Sequence, residues 1–202
     1  MHNLFNPTAL VQDFGYFGVF ATLFIESGVV VGFFLPGDTL LFAAGLLASQ
    51  HVINIVLLII ISVAAAISGN SLGYFTGKRT GHALFNRPRS FWFSPKRVKE
   101  AHEFFEKEGP QALILARFVP AVRTFVPIIA GVGEMPYRTF LTFNAIGGLL
   151  WGIVVPILGY TLGKTIHNID KYILPIVVII ALISALPVVM SYLKGKKSKN
   201  KN

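Results

Sequence analysis

Hydrophobic positions run in long stretches along this chain, and the places where they break repeat. Residues 7–18 mix Phe14, Tyr16 and Phe17 with Asp13, which suits a short segment at the membrane interface. Residues 19–50 are apolar but interrupted by Gly28, Gly32 and Pro36-Gly37. As helices, Val19–Leu35 (17 residues) and Pro36–Gln50 (15 residues) would each span about 23–26 Å, short of the ~30 Å hydrocarbon core. A Pro-Gly in the middle breaks the helical ladder. The pattern predicts a re-entrant hairpin of two half-helices, tolerated at membrane depth only where protein or a water-filled cavity covers it. Residues 52–77 read as a full spanning helix. Residues 78–109 are polar: Ser94-Pro95 opens a helix, Gly109 stops it, and Lys96/Glu100 and Lys99/Glu103 pair at four-residue spacing, so an amphipathic cytoplasmic segment is expected. Residues 110–137 carry Pro110, Pro120, Pro127 and Pro136 in a mostly apolar run, a second re-entrant hairpin. Residues 139–163 and 172–193 are two more spanning helices, and 194–202 is a basic tail.

Composition supports the membrane reading. Hydrophobic residues make up 53% and charged residues 13%, too apolar for a soluble fold of 202 residues and for a disordered chain. One domain, 1–202, is expected. The absence of cysteine excludes disulfides and thiolate chemistry. The net charge of +9 matters through its placement rather than as a nucleic-acid signal. No Lys or Arg precedes Lys78, eight fall between Lys78 and Lys107, and five lie in the tail from Lys194 to Lys201. Both basic regions are therefore expected in the cytoplasm. With no basic region at the N-terminus, a cleaved signal peptide is not expected.

An internal repeat is visible. Leu72-Gly73-Tyr74-x-x-Gly77-Lys78 ends the first spanning helix and Leu158-Gly159-Tyr160-x-x-Gly163-Lys164 ends the second, each after a proline-broken hairpin. With both basic regions inside, the two copies run in opposite directions. The expected fold is all-α and integral to the membrane: an inverted repeat of hairpin plus spanning helix, with an additional C-terminal spanning helix. Inverted repeats with broken helices are a transporter signature, with the site near the midplane.

Four ionisable residues fall inside the apolar stretches: Glu26 and Asp38 in the first hairpin, Arg117 and Arg123 in the second. Each costs on the order of 3 kcal/mol at the bilayer centre, roughly 10 kcal/mol together if unpaired. The signs balance, two against two, so pairing at the hairpin tips would remove most of that cost. A structural reading makes them two buried salt bridges that dock the hairpins, but buried ion pairs stabilise poorly compared with apolar packing. Two arginines close in sequence also suit capture of a phosphate, and membrane carboxylates suit proton carrying. Asn70 and Asn144 could donate to a headgroup or bond between helices. Thr39 and Thr124 read as hairpin caps, and Glu134 with Arg138 as a rim pair. His102 reads as a solvated histidine of the cytoplasmic helix rather than a catalytic one, His51, His82 and His167 show no metal-ligand spacing, and no cofactor is expected.

Together these residues resemble the DedA membrane proteins, also described by their SNARE-associated or VTT domain. The carrying motifs are Glu26-Ser27-Gly28, Phe34-Leu35-Pro36-Gly37-Asp38, Gly73-Tyr74-x-x-Gly77 with Gly81, and Arg117-Phe118-x-Pro120-x-x-Arg123-Thr124-x-x-Pro127-x-x-Ala130-Gly131. Phe140, Asn144, Gly148, Trp151 and Gly159-Tyr160-x-x-Gly163 complete them. The resemblance implies a lipid transporter of a prokaryotic cytoplasmic membrane. It implies movement of undecaprenyl phosphate or phosphatidylethanolamine, driven by a proton or sodium gradient. It places an essential acid pair on Glu26 and Asp38 and an arginine pair on Arg117 and Arg123. Many members carry Asp where this chain has Asn70. The site expected here has Arg117, Arg123, Asn144 and Thr124 on the substrate and Glu26 and Asp38 on the coupling ion. The partners expected are a phosphate-headed membrane lipid and protons or sodium, with no nucleic acid, and self-association is left open. Rival classes are a proton-coupled antiporter of small cations or drugs, a structural assembly factor, and a lipid phosphatase, which an intramembrane histidine would have favoured.

Overall fold

The computed structural model describes residues 7–29, 37–85, 105, 107–117 and 123–165. The regular elements among them are helices: α1 (Pro7–Gly28), α2 (Gly37–Ser49), α3 (Ile55–Phe85), α4 (Ala112–Ala116), α5 (Phe125–Val132) and α6 (Tyr137–Thr165). The expected helix 172–193, the tail, the breaks at Pro36 and Pro120 and most of the amphipathic segment lie outside the described residues. The end of that segment is visible: Gly109 takes φ +73° and its N–H donates to Phe105 O at 3.0 Å, as a helix-stopping glycine does.

Several boundaries differ from expectation, each for a local reason. The interfacial segment and the first arm are two helical stretches of α1 that meet at a kink at Gly15, where φ is 54°, rather than after residue 18. Only glycine takes that conformation without strain. The arm beyond the bend ends at Gly28 rather than Leu35. With the 13-residue α2, it is too short to cross ~30 Å of hydrocarbon. The next helix starts at Ile55 instead of 52, because Asn54 Oδ1 accepts from the N–H groups of Val56 (2.8 Å) and Leu57 (3.2 Å). It continues through Lys78 and Arg79 to Phe85, since no proline occurs before Pro88. The last long helix carries Pro156 in its interior without ending.

Ile55–Thr80 (26 residues) and α6 (29 residues) are long and apolar enough to cross a membrane. Only a third of each is buried in the protein. Val56, Ile60 and Phe75 on α3 and Leu149, Val154 and Leu158 on α6 point outward. A core helix of a soluble protein would have covered them; outward apolar faces of this kind suit contact with lipid.

The short arms pack reciprocally. α2 lies on α6, and α5 lies on α3. In each case the backbones touch through glycine. A Cβ on Gly45 or Gly159 would collide with the carbonyl of Pro156 or Phe42. A Cβ on Gly131 or Gly77 would collide with the carbonyl of Tyr74 or Ile128. The repeated Gly-Tyr-x-x-Gly thus receives the short arm of the other half. The two tyrosines differ, however. Tyr74 is buried, donates to Met135 O and stacks on Phe140 with centroids 4.6 Å apart. Tyr160 is half-buried under Lys164, whose Nζ is 4.6 Å from the ring centroid.

Two apolar clusters form the core. One gathers Leu23, Leu40, Leu41, Leu58 and Trp151, the other Tyr74, Leu113, Val126 and Phe140. Arg117 and Arg123 border small cavities shared with Leu113 and Val126 of the second cluster and with Trp151 of the first.

Candidate functional site

Four helix segments bring the site together near the middle of the two long helices. Glu26 comes from the end of α1, Asp38 from the first turn of α2, Arg123 from just before α5, and Trp151 from α6. Arg123 is buried, and its guanidinium forks between the acids: Nη1 donates to Asp38 Oδ1 and Nη2 to Glu26 Oε1. Such charge-assisted bonds are the strongest a side chain makes. Trp151 Nε1 donates to the same Asp38 oxygen at 2.9 Å, and Arg123 Cζ sits 5.3 Å from the Trp151 ring centroid, within cation–π range. Gly37 makes room for this arrangement, because a methyl there would overlap the Glu26 carboxylate.

Arg117 follows α4 and is also buried, but its surroundings are different. Nη2 donates to Asn144 Oδ1 at 3.0 Å and to Ala66 O at 3.3 Å. Nη1 has no hydrogen-bond partner, and no carboxylate among the described residues pairs with this guanidinium. The side chain lies along the glycines of α6; a Cβ on Gly148 would come within 3.0 Å of Nη1. Asn144 is fixed in turn by its own donation to Ile67 O at 3.1 Å. The Asn70 amide meets this network in two ways. In one, its nitrogen donates to Asn144 Oδ1 at 2.9 Å but faces another donor, Arg117 Nη2. In the other, its oxygen accepts from Arg117 Nη2 and its nitrogen donates to Ser27 O at 3.1 Å.

A cavity of about one water's size separates the arginines, lined by Asn70, Arg117, Arg123 and Asn144 with apolar residues of α4 and α5. A second small space lies between Ser27, Asn70, Arg117, Arg123 and Trp151. A phosphate group does not fit either space in this state.

The four ionisable residues therefore converge, but not as two pairs. Both acids bind Arg123, and Arg117 is left on amides and a carbonyl. Asn144 lies beside Arg117 in this network. Thr124 is buried and makes no cap; its hydroxyl reaches Glu26 O at 3.4 Å, so it braces α5 against α1. Trp151, Gly37 and Gly148 act at the site without having been singled out as candidates. No cluster of metal-binding side chains occurs among the described residues.

Comparison with known proteins places this arrangement in a broader group. Residues 35–161 match the VTT domain family. The chain is 41% identical over 194 residues to Protein DedA of Escherichia coli (strain K12), covering 94% of this chain and 88% of that protein. It is 40% identical over 182 residues to an uncharacterized membrane protein of Mycobacterium leprae (strain TN), covering 89% and 80%. It is 40% identical over 147 residues to the inner membrane protein YghB of Escherichia coli (strain K12), covering 73% and 67%. No solved structure is significantly similar.

Proposed function

The chain belongs to the DedA family of membrane proteins, and from that premise we propose that it carries a phosphate-bearing lipid across a bacterial cytoplasmic membrane. The observation that supports this most is Arg117, a buried guanidinium that pairs with no carboxylate among the described residues, beside an arginine that has two. Undecaprenyl phosphate is the first candidate, and phosphatidylethanolamine or another phospholipid the second. The prenyl or acyl tail stays in the bilayer while the headgroup passes between the short arms.

In this mechanism the acids neutralise Arg123 at rest. An incoming phosphate adds negative charge next to them. Protonation of Glu26 or Asp38 restores local neutrality and frees the Arg123 fork for the ligand. This links lipid movement to a proton gradient, with sodium as the other coupling ion. Because the closed cavity is too small for a phosphate, the arms must part on alternate sides, through rocking of the two halves. The basic 78–107 connection and the tail are assigned to the cytoplasmic side by their charge.

The test uses the purified chain in liposomes with a labelled phosphate lipid. Arg117→Ala and Arg123→Ala should each abolish movement between leaflets; wild-type rates in both would end the proposal. A cation antiporter is supported less well, because both carboxylates are already occupied by Arg123. It predicts cation uptake in vesicles free of transported phosphate lipid.

A further inference from the structure

We infer that the helices form two rigid bodies, α1 with α3 and α5, and α2 with α4 and α6, and that Asp38, not Glu26, is the acid that lets go of Arg123 when they part. The inference rests on the proposed transport cycle and adds which helices move and which bond breaks. Its ground is the way the helices touch. Inside each body, backbone meets backbone at glycine. In the first, a Cβ on Gly28 or Gly69 would come within 2.6 Å of the carbonyl oxygen of Gly69 or Phe24, and Gly77 and Gly131 seat α5 on α3 in the same way. In the second, Gly45 and Gly159 seat α2 on α6, and a Cβ on Gly147 would meet the Cα of Ile114 in α4 at 3.4 Å. Backbones packed this closely leave no slack for sliding. Between the bodies the contact is of another kind. The nearest atoms facing Gly148 and Gly152 of α6 are side-chain carbons of Ile67 and Val63 on α3. Single side-chain hydrogen bonds cross this seam: Ser62 Oγ donates to Gly152 O at 3.0 Å, Asn144 Nδ2 to Ile67 O at 3.1 Å, and Arg117 Nη2 to both Asn144 Oδ1 and Ala66 O. Side-chain contacts of this sort repack when packed helices shift.

The charged residues divide along the same line. Glu26 and Arg123 lie in the first body, where Thr124, next to Arg123, donates to the Glu26 carbonyl. Asp38 lies in the second, tied to α6 by Trp151 Nε1, and Arg117 follows α4 there. Each body therefore carries one acid and one arginine, so separating them leaves neither with an unbalanced charge from these four groups. The bond from Arg123 Nη2 to Glu26 is internal to the first body, and the bond from Nη1 to Asp38 crosses the seam. Parting the bodies breaks the second bond, frees Nη1 and keeps Nη2 on Glu26. Glu26 is then the standing counter-ion of Arg123, and Asp38 is the latch.

The chain has no cysteine, so introduced thiols are the only ones. Spin labels on Val56→Cys with Ile129→Cys measure a distance inside the first body, and labels on Val56→Cys with Leu149→Cys a distance across the seam; all three residues point outward. In the full-length protein in detergent, Asp38→Asn should shift or split the distance across the seam, Glu26→Gln should leave it unchanged, and the internal distance should stay fixed throughout. A seam that does not respond to Asp38→Asn, one that responds equally to Glu26→Gln, or an internal distance that moves as much would each overturn the inference. Disulfides then test the cycle in liposomes. Val63→Cys with Gly152→Cys bridges the seam, since Val63 Cγ2 lies 2.7 Å from a Cβ on position 152. Gly73→Cys with Ile128→Cys bridges inside the first body, where Ile128 Cγ1 lies 3.6 Å from a Cβ on position 73. Oxidation should stop lipid movement in the seam pair, with recovery on reduction, and leave the internal pair moving lipid as it does when reduced. Undiminished movement across a bridged seam would overturn the two bodies. If wild type moves no phosphate lipid while the label distances behave as stated, the transport reading falls and the two bodies stand.

Discussion

Arg117 and Arg123 stand six residues apart in one proline-rich segment, yet the protein treats them in opposite ways. Arg123 is a junction. It joins α1, α2 and the start of α5 through two carboxylates, and an α6 tryptophan covers it. Arg117 rests on the amide of Asn144 and a helix carbonyl, along a glycine groove, with one terminal nitrogen unused. The comparison teaches that equal burial of equal charges does not imply equal roles. A buried cation with two counter-ions can hold structure together, whereas one that pairs with no carboxylate among the described residues is kept at a cost and makes sense as a receiver.

The strongest way to break this contrast is to remove the junction. Arg123→Ala leaves the buried Glu26 carboxylate facing the partly accessible Asp38 carboxylate, and stripping one partner from a buried ion network costs about 3–5 kcal/mol. Thermal unfolding of the detergent-purified protein should show a large loss, accompanied by loss of transport. Arg123→Lys should be intermediate in stability and severely impaired in transport, since an ammonium cannot fork between Asp38 and Glu26. A stable Arg123→Ala protein would mean that the junction does not hold the arms. Next in size is Gly37→Ala. The added methyl overlaps the Glu26 carboxylate and forces it off Arg123, and overpacking of this kind costs about 1–3 kcal/mol. In a Glu26→Ala background, adding Gly37→Ala should cost little further stability, because the clash has disappeared. A full-sized further loss would show that position 37 matters for another reason.

The contrast was only half legible in the sequence. Hydropathy exposes Glu26, Asp38, Arg117 and Arg123 because charge inside apolar runs is costly, and equal signs suggest that they meet. It does not say who pairs with whom. The Arg123 contacts join residues 85 and 97 positions apart, and Trp151 reaches Asp38 across 113, so the partners are set by how helices dock. Local signals set the rest. Asn54 capping α3 and a proline-free run to Phe85 are readable in hindsight, and the bend at Gly15 had its glycine in plain view. Thr124 looked like a cap by type, but its hydroxyl turned to the Glu26 carbonyl once α1 lay against it. The repeated Gly-Tyr-x-x-Gly marked two equivalent docking surfaces, and the sequence could not show that each accepts the arm of the other half.

A smaller effect sharpens the junction. Trp151→Phe keeps a ring over Arg123 but deletes the donor to Asp38, leaving that carboxylate with Arg123 alone. A single lost hydrogen bond to a charged group is worth about 1.5–3 kcal/mol, and less here because Asp38 is partly accessible. The expected loss is about 1 kcal/mol, read from the unfolding midpoint. Transport should fall modestly. A loss as large as that of Arg123→Ala would make Trp151, rather than the guanidinium, the centre of the junction.

The least effect on stability is expected where the functional effect is greatest. Arg117→Met replaces a buried guanidinium with an apolar chain that can lie in the same glycine groove. It removes a charge that pairs with no carboxylate among the described residues, and such replacements of buried ions are often neutral or stabilising. Against that gain, Asn144 Oδ1 loses a donor that the Asn70 nitrogen, 2.9 Å away in one setting, can supply. The unfolding midpoint should therefore change by less than about 1 kcal/mol equivalent, and it can rise. Movement of phosphate lipid in liposomes should stop all the same. A protein that unfolds easily on Arg117→Met would make Arg117 a second junction, and the distinction between the two arginines would disappear. A stable protein that still moves phosphate lipid would leave the unused nitrogen without a purpose and shift ligand capture to Arg123.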